Sequence, residues 1–306
     1  MAPERAEPGG DVHVDVEGRT LKLGNLTKVL YPRTGTTKGE VLDYYARIAP
    51  TMLPHLRDRA VTRIRWPHGV AEGSFFEKNV PAGTPGWVRT VTVPTSGRRS
   101  GQGEGTITFP VVDDLATLTW LANLAALELH VHQWRVGRNG RPRNADRIVV
   151  DLDPGEPAGL HECCQVALLT RDALAERDLH ARPVLSGSKG LHLYADLPSR
   201  LPPDDSTALA KEVAEQLQQA HPALVTATMT KSRRGGKVFF DWSQNAGSKT
   251  TVAPYSLRGR ERPFVAAPVS WDEVSAGAED PFGLDQLRFE EVLERVADVG
   301  DLFAVT

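Results

Sequence analysis

The chain has 306 residues, of which 40% are hydrophobic and 25% charged, enough apolar material for a sizeable core and too little compositional bias for disorder. Its formal net charge of −3 speaks at first sight against a nucleic-acid partner. The average hides a division, because residues 272–301 hold ten acids and two arginines, a balance of −8 that leaves +5 on the rest.

Residues 1–10 carry Glu4, Glu7 and two prolines without an apolar run, which excludes a signal peptide and reads as a flexible start; residues 11–306 read as a single domain. Val41, Leu42, Tyr45, Ile48 and Ala49 recur at helical spacing behind a Thr37/Glu40 capping box, predicting a helix that ends or kinks near Pro50. Strand-like runs follow at 61–66, 74–77, 87–93 and 105–109, and the Gly-, Ser- and Arg-rich segment 94–104 joins the last two as a mobile hairpin tip. Helical periodicity covers 115–129, behind Asp113 and Asp114, then 160–177, 206–220 and 287–299. Further β-rich runs lie at 147–152, 182–185, 191–194, 225–230 and 237–242, with a Pro- and Gly-bearing stretch at 265–283. Several strand pairs are joined by links too short for a helical crossover, so the class is α+β (α/β) with mostly antiparallel sheets.

The apolar runs fall short of the roughly 20 residues a bilayer demands, so no membrane partner and a cytoplasmic location are expected. Cys163 and Cys164 are adjacent on a helical stretch and read as buried apolar residues in a reducing compartment, with His161 completing no metal-ligand spacing. Basic residues bunch at 98–99, 135–147, 231–237 and 258–262. Singly, each bunch looks like a solvated loop; beside the motifs that follow, they point to a polyanionic ligand.

An apolar strand ends in Asp151-Leu152-Asp153 and is stopped by Pro154-Gly155. Alternation puts both carboxylates on one face with α-carbons roughly 6.5 Å apart, where they can converge on a hard divalent cation, magnesium or manganese. The alternative is a polar strand end that caps a turn. Asp241 likewise ends an apolar strand, flanked by aromatics, and such a carboxylate must pair, protonate or bind metal. Three strand-borne carboxylates suit a two-metal phosphoryl-transfer site with ions ~3.5–4 Å apart, although a salt bridge would equally satisfy Asp241. In Ser186-Gly187-Ser188-Lys189-Gly190-Leu191-His192, small residues let backbone N–H groups approach an anion that Lys189 would neutralise, while His192 reads as packing beneath the site. The same run is also what an ordinary turn looks like.

Together with Lys28-Val29-Leu30-Tyr31-Pro32, Thr36-Thr37-Lys38, Phe75-Phe76-Glu77-Lys78, Leu127 to Val131, Met229 to Ser232, Asp241 to Asn245 and Ala253 to Arg260, these motifs resemble the polymerase domain of bacterial ligase D, a member of the archaeo-eukaryotic primase-polymerase superfamily. They run in order over most of the chain. The resemblance implies a single primase-polymerase catalytic domain that fills short gaps and ends in DNA repair, preferring ribonucleotides. The pathway would be non-homologous end joining or stand-alone gap filling. Asp151, Asp153 and Asp241 match the metal triad, which would hold two Mn2+ or Mg2+ ions. His130, Ser186 or Ser188, Lys189 and Arg258 match the groups that hold the incoming NTP or dNTP. Lys28 and Lys38 match a pair gripping the downstream 5′-phosphate, Phe75 and Phe76 an aromatic pair on the template, and Lys78 falls in the same segment.

Along a strand the two phenylalanines should point oppositely, so only one is expected to stack. The loop with Lys231, Arg233 and Arg234 matches one that meets the primer or the metals. Implied partners are gapped or broken DNA, a ligase in cis or in trans, and Ku. Two departures stand out: Ile64 replaces a nucleotide-contacting lysine in Arg63-Ile64-Arg65-Trp66, and the 96–104 tip is longer and richer in Gly and Arg, which bears on the alignment of broken ends. Competing readings are a non-catalytic gapped-DNA-binding module and a metal-dependent nuclease, and a nuclease has no use for Lys189 and Arg258.

Overall fold

The strand Pro142–Pro154 is the spine of the molecule. The computed structural model describes residues 10–95 and 105–304. In it this strand pairs antiparallel with Leu191–Leu201 on one side and with Val238–Asp241 on the other. Ala181–Leu185 and Val225–Thr226 complete the edges, and Trp134–Val136 pairs with the strand's beginning, making six strands. The residues from Arg147 to Val150 are all buried, so the middle of the spine reads as a continuous apolar run rather than an alternating one. A second, four-stranded sheet runs Thr251–Val252, Ala126–Val131, Val61–Arg65, Phe75–Glu77, all antiparallel. One apolar cluster unites both sheets with the helices.

The six helices described are α1 (Lys38–Leu56), α2 (Leu115–Asn123), α3 (Leu160–Ala175), α4 (Pro203–Ala220), α5 (Trp271–Glu279) and α6 (Phe289–Val299). The expected Thr37/Glu40 capping box opens α1, with Thr37 N donating to Glu40 Oε2 at 2.7 Å. This helix runs through Pro50 and Pro54 to Leu56, past the end or kink expected near Pro50. Both prolines lie on its exposed side while Ile48, Ala49, Met52 and Leu56 are buried, so packing outweighs two lost backbone hydrogen bonds.

The expected helix over 115–129 is two elements. Asp114 caps α2 through Thr117 N at 2.7 Å, but Ala125 adopts φ +56 and turns the chain into the strand Ala126–Val131. That strand is central and buried on both faces, so it lacks the alternation that would have marked it. Val225–Thr226 is shorter than the run expected over 225–230. The 265–283 stretch contains α5, opened by a Ser270/Glu273 capping box. Thr90–Thr95 and Gly105–Pro110 form the expected hairpin; its tip, residues 96–104, lies outside the described residues, as do residues 1–9 of the expected flexible start. Cys163 and Cys164 are free and buried in α3, as expected. No helix among the described residues is long and apolar enough to cross a membrane.

Beneath the spine lies a buried cationic layer. Arg59 is 1% exposed, donates to both Asp146 oxygens at 2.9 Å and to His132 O at 3.1 Å, and burial lowers its guanidinium to about 9. Arg147 donates to Gln133 Oε1 at 2.8 Å with its guanidinium 4.8 Å from the Tyr194 ring centroid. Replacing Asp146 by alanine strands Arg59 in the core without its counter-charge. The expected cost is about 2–3 kcal/mol in urea unfolding, below the value for a wholly buried pair because Asp146 is partly solvated. An unchanged midpoint would show that Asp146 does not balance Arg59.

Candidate active site

Register places the chemistry. Asp151 on the spine faces His192 on one neighbouring strand and Asp241 on the other, so three polar residues stand in one row across three strands. Asp153 is two residues on, on the same face. His192 Nε2 lies 3.2 Å from Asp151 Oδ1. Gln244 Nε2 donates to Asp241 Oδ2 at 2.9 Å and reaches Asp151 Oδ2 at 3.4 Å, tying the two carboxylates together. Asp241 Oδ1 accepts from Ser243 N at 3.0 Å and from Ser243 Oγ, which in turn accepts from Lys249 Nζ.

Burial raises the Asp151 carboxyl, but the adjacent His192 and the more distant Arg258 outweigh it and hold the group below the ordinary value. Asp153 goes the other way, pushed up to about 6 by desolvation and by the charge of Asp151. Asp151, Asp153 and Asp241 are hard oxygen donors suited to magnesium or manganese. Among the described residues no three acidic, histidine or cysteine side chains close on a common point, so the triad is not a preassembled cage. Gln244 bridges two of its members instead.

A cleft of about 230 Å³ opens over Asp151, Asp153 and His192, with Asp241 not among its lining residues. Its walls come from both sheets: Asp151, Asp153, His192 and Gln244 on one side, His130, Thr251 and Val252 on the other, with Ser186, Ser188, Arg258 and Arg260 closing it. His130 is a residue of the Ala126–Val131 strand, not of a helix end. Arg258 Nη1 donates to Ser186 O at 2.6 Å.

The Ser186 loop is present, but its amides are already used. Gly187 N donates to Gln286 Oε1 at 2.7 Å, while Ser188 N and Gly190 N donate to Ser186 Oγ at 3.2 and 3.1 Å. The loop therefore offers side chains rather than the backbone cradle its small residues suggested. Its glycines serve geometry: Gly187 sits at φ +65, and a Cβ on Gly190 would fall 1.9 Å from Leu152 O. Lys189 is not among the cleft-lining residues; it is exposed and pairs with Glu156 Oε1 at 2.9 Å. His192 is a buried strand residue, as expected, yet it also touches Asp151 and lines the cleft.

The remaining predicted contacts lie away from the cleft walls. Lys38 is buried at the first turn of α1 and donates to Gly24 O at 2.6 Å; desolvation and nearby Lys28 lower its ammonium. Lys28 is half-buried, so neither is a freely solvated lysine. Phe75 and Phe76 are 52% and 59% exposed on a strand at the sheet edge, so neither is a core residue. Lys78 Nζ lies 6.0 Å from the Phe76 ring centroid. Lys231 is exposed on a short 3-10 turn, whereas the Arg234 guanidinium lies 3.5 Å over the Phe239 ring centroid, on the residue paired in register with Asp153. Sequence reasoning gave no role to Gln244, Gln286 or Arg260; the first was visible only as part of a motif, and the contacts of Gln286 span 96 and 99 residues.

With this geometry in view, comparison with known proteins is decisive. The family model of the LigD primase-polymerase domain matches residues 37–303. The chain belongs to that family. It is 50% identical over 284 residues to the multifunctional non-homologous end joining protein LigD of Mycolicibacterium smegmatis, covering 93% of this chain and 36% of that one. It is 52% identical over 287 residues to the LigD of Mycobacterium tuberculosis H37Rv, covering 92% and 36%, and 34% identical over 257 residues to the bifunctional LigD of Bacillus subtilis, covering 84% and 40%. The chain thus spans little more than a third of the length of these relatives. Among solved structures, the polymerase domain of Mycobacterium tuberculosis ligase D in complex with DNA superposes with a TM-score of 0.85 at 50% identity, covering 92% of this chain and 96% of that one. The expected α+β class with antiparallel sheets is the fold of a LigD polymerase domain.

The raised Asp153 carboxyl has a consequence for stability. The folded protein keeps that proton up to about pH 6, whereas an unfolded aspartate releases it at about 3.9. The charge therefore costs stability that develops as pH rises between those values and is fully felt above them. Asp153→Asn should raise the melting temperature in chelator at pH 8 by the order of 1–2 °C, the small size reflecting partial exposure to solvent, with the gain gone near pH 4. A shift independent of pH would contradict the assignment.

Proposed function

We propose that the chain is a DNA-templated nucleotidyltransferase domain that fills short gaps and ends during break repair, with a preference for ribonucleotides. The observation that carries this reading is the cleft that brings Asp151 and Asp153 to face His130 and Arg258, with Asp241 paired to Asp151 in one ladder row behind its wall. Acids on one side and cations on the other divide the cleft into a place for phosphoryl chemistry and a place for a leaving polyphosphate. That division is what nucleotide addition needs and hydrolysis of a phosphodiester does not.

In this reading Asp151, Asp153 and Asp241 hold two divalent cations, magnesium or manganese. When bound, these supply charge neutralisation and a lowered pKa at the primer 3′-hydroxyl. The protein positions and neutralises. Arg258, His130 and Ser188 hold the triphosphate of the incoming nucleotide, the 3′-oxygen forms its bond to the α-phosphorus, and the bond to the bridging oxygen breaks to release pyrophosphate. Lys189 joins this set by leaving Glu156, an exchange between exposed partners that costs little. Gln244, which ties Asp151 to Asp241, would give up those hydrogen bonds where the two carboxylates hold a cation.

The DNA lies along surfaces outside the cleft. The first turn of α1 brings Lys28 and Lys38 together, two ammonium groups suited to the downstream 5′-phosphate, while its own amides already donate to Lys28 O, Leu26 O and Thr37 Oγ1. Exposed Phe75 and Phe76, with Lys78 beside them, offer faces on which any base can stack without being read. Lys231 and Arg234 stand beside the Asp153 end of the spine, on the primer side. Partners follow from this substrate: gapped or broken DNA, a ligase acting in cis or in trans to seal the product, and Ku to hold ends. Such work places the protein in the cytoplasm, at the nucleoid.

Asp151→Ala should abolish extension of a labelled primer, a loss of at least about a thousandfold, while thermal unfolding stays cooperative; retained extension would overturn the assignment. Lys28→Ala with Lys38→Ala should leave extension of an open primer-template intact and remove the stimulation by a downstream 5′-phosphate, measured on gaps with and without that phosphate. Stimulation that survives the double substitution would dismiss the phosphate site.

A further inference from the structure

One buried acid behind the cleft wall, in contact with the cleft-lining His130 and Arg258, belongs to none of the groups above. Glu128 is 4% exposed, on the central strand Ala126–Val131, and two hydrogen bonds and one ion pair converge on it. Its Oε2 lies 2.8 Å from His130 Nε2. Its Oε1 lies 3.2 Å from Arg258 Nε and accepts from Gly259 N at 3.0 Å. Ile64, directly opposite on the neighbouring strand, brings no charge, so the carboxylate is balanced by His130 and Arg258. Desolvation pushes Glu128 up, but these partners more than offset it and hold the group down at about 2, ionised throughout the neutral range.

We propose that Glu128 is the positioning residue of the triphosphate subsite, orienting His130 and Arg258 as one unit toward the polyphosphate of the incoming nucleotide. This rests on the nucleotidyltransferase reading given above. Its physical content is the chemistry of the donors. The imidazole and the guanidinium come from positions 128 residues apart, and a shared carboxylate fixes both side chains from behind. Arg258 is held by the ion pair of its Nε with Glu128 at 3.2 Å and by the hydrogen bond from Nη1 to Ser186 O, while Nε itself stays without a hydrogen-bond partner. The Gly259 amide locks the backbone that follows. His130 spends Nε2–H on the carboxylate, so only its imidazolium form has a second N–H to give a phosphate oxygen, and Glu128 is the counter-ion of that form. A preset pair of cations binds a triphosphate without paying to order two long side chains on arrival.

The test separates this role from the reading it rests on. Wild-type protein is assayed first for gap filling with manganese and increasing UTP; absence of extension would overturn the nucleotidyltransferase reading itself. Given extension, Glu128→Gln should raise the nucleotide KM by about tenfold to a hundredfold, as expected for loss of charge-assisted hydrogen bonds, with kcat lowered by no more than about threefold. Affinity for the gapped DNA and the melting temperature should stay near wild type, which a general loosening of the fold would not allow. Combined with Arg258→Lys, the two KM effects should fall well short of multiplying, because both act on one unit. A wild-type KM in Glu128→Gln, or fully multiplicative effects, would overturn the proposal. Should Glu128→Gln fail to fold, Glu128→Asp takes its place: a raised KM from the shortened reach supports the role, and an unchanged one overturns it.

Discussion

The register of one strand governs the rest of the molecule. Asp151 has its acidic and imidazole neighbours only because Pro142–Pro154 pairs with Leu191–Leu201 and with Val238–Asp241 in one register; a slip by a single residue would turn Asp151 and Asp153 to the opposite face. The apolar residues from Ile148 to Val150 and Leu152 are fully buried, and that burial holds the register. Two like charges in one ladder row destabilise the sheet. The Gln244 amide, the Ser243 amide and hydroxyl, and His192 offset that repulsion, so the protein maintains an acid pair that its core alone would reject. Asp153, which lacks such partners, carries the cost as a raised pKa.

Buried charge is handled by one rule on both sides of the spine. Below it, Arg59 is matched by Asp146; behind the cleft wall, Glu128 is matched by His130 and Arg258. The pairings of Arg59 with Asp146 and of Glu128 with Arg258 join segments distant in sequence. The difference lies in solvent. Arg59 faces the core and serves the fold, whereas the partners of Glu128 border the cleft and keep donor capacity free for a ligand.

What could be read from the sequence followed from local periodicity and from the motifs. The Thr37/Glu40 box announced α1, the strand ends announced Asp151, Asp153 and Asp241, and the hairpin around 94–104 was marked by its glycines. The helix over 115–129 was misjudged because Ala126–Val131 is apolar on both faces and follows a helix without a Gly or Pro between them; the break is a left-handed Ala125, which no composition rule flags. That one error concealed His130 and Glu128 as strand residues two apart on the same face. The Ser186 loop was recognised from its small residues, yet the use of its amides depends on Ser186 Oγ and on Gln286, whose position only the tertiary structure sets.

Arg258 shows most clearly why a site of this kind needs the whole fold. Its segment is laced to both sheets: Ala253 N donates to Leu129 O at 2.8 Å, and Leu185 and Ala267 exchange backbone hydrogen bonds at 2.8 and 3.1 Å. Between these anchors Tyr255 adopts φ +67, a conformation that costs a non-glycine residue about 1–3 kcal/mol. Three contacts offset that strain. Tyr44 OH donates to Tyr255 O at 2.7 Å, Tyr255 N donates to Ala266 O at 2.7 Å, and Tyr255 OH donates to Asp301 Oδ1 at 2.6 Å. A turn held this firmly from α1, from the neighbouring backbone and from the end of the chain cannot drift, so the guanidinium three residues on reaches Glu128 and Ser186 O from a fixed base. The cleft is therefore a junction of two sheets whose cationic wall is set by contacts spanning up to 227 residues, and whose acidic floor, Asp151 and Asp153, is set by a single strand.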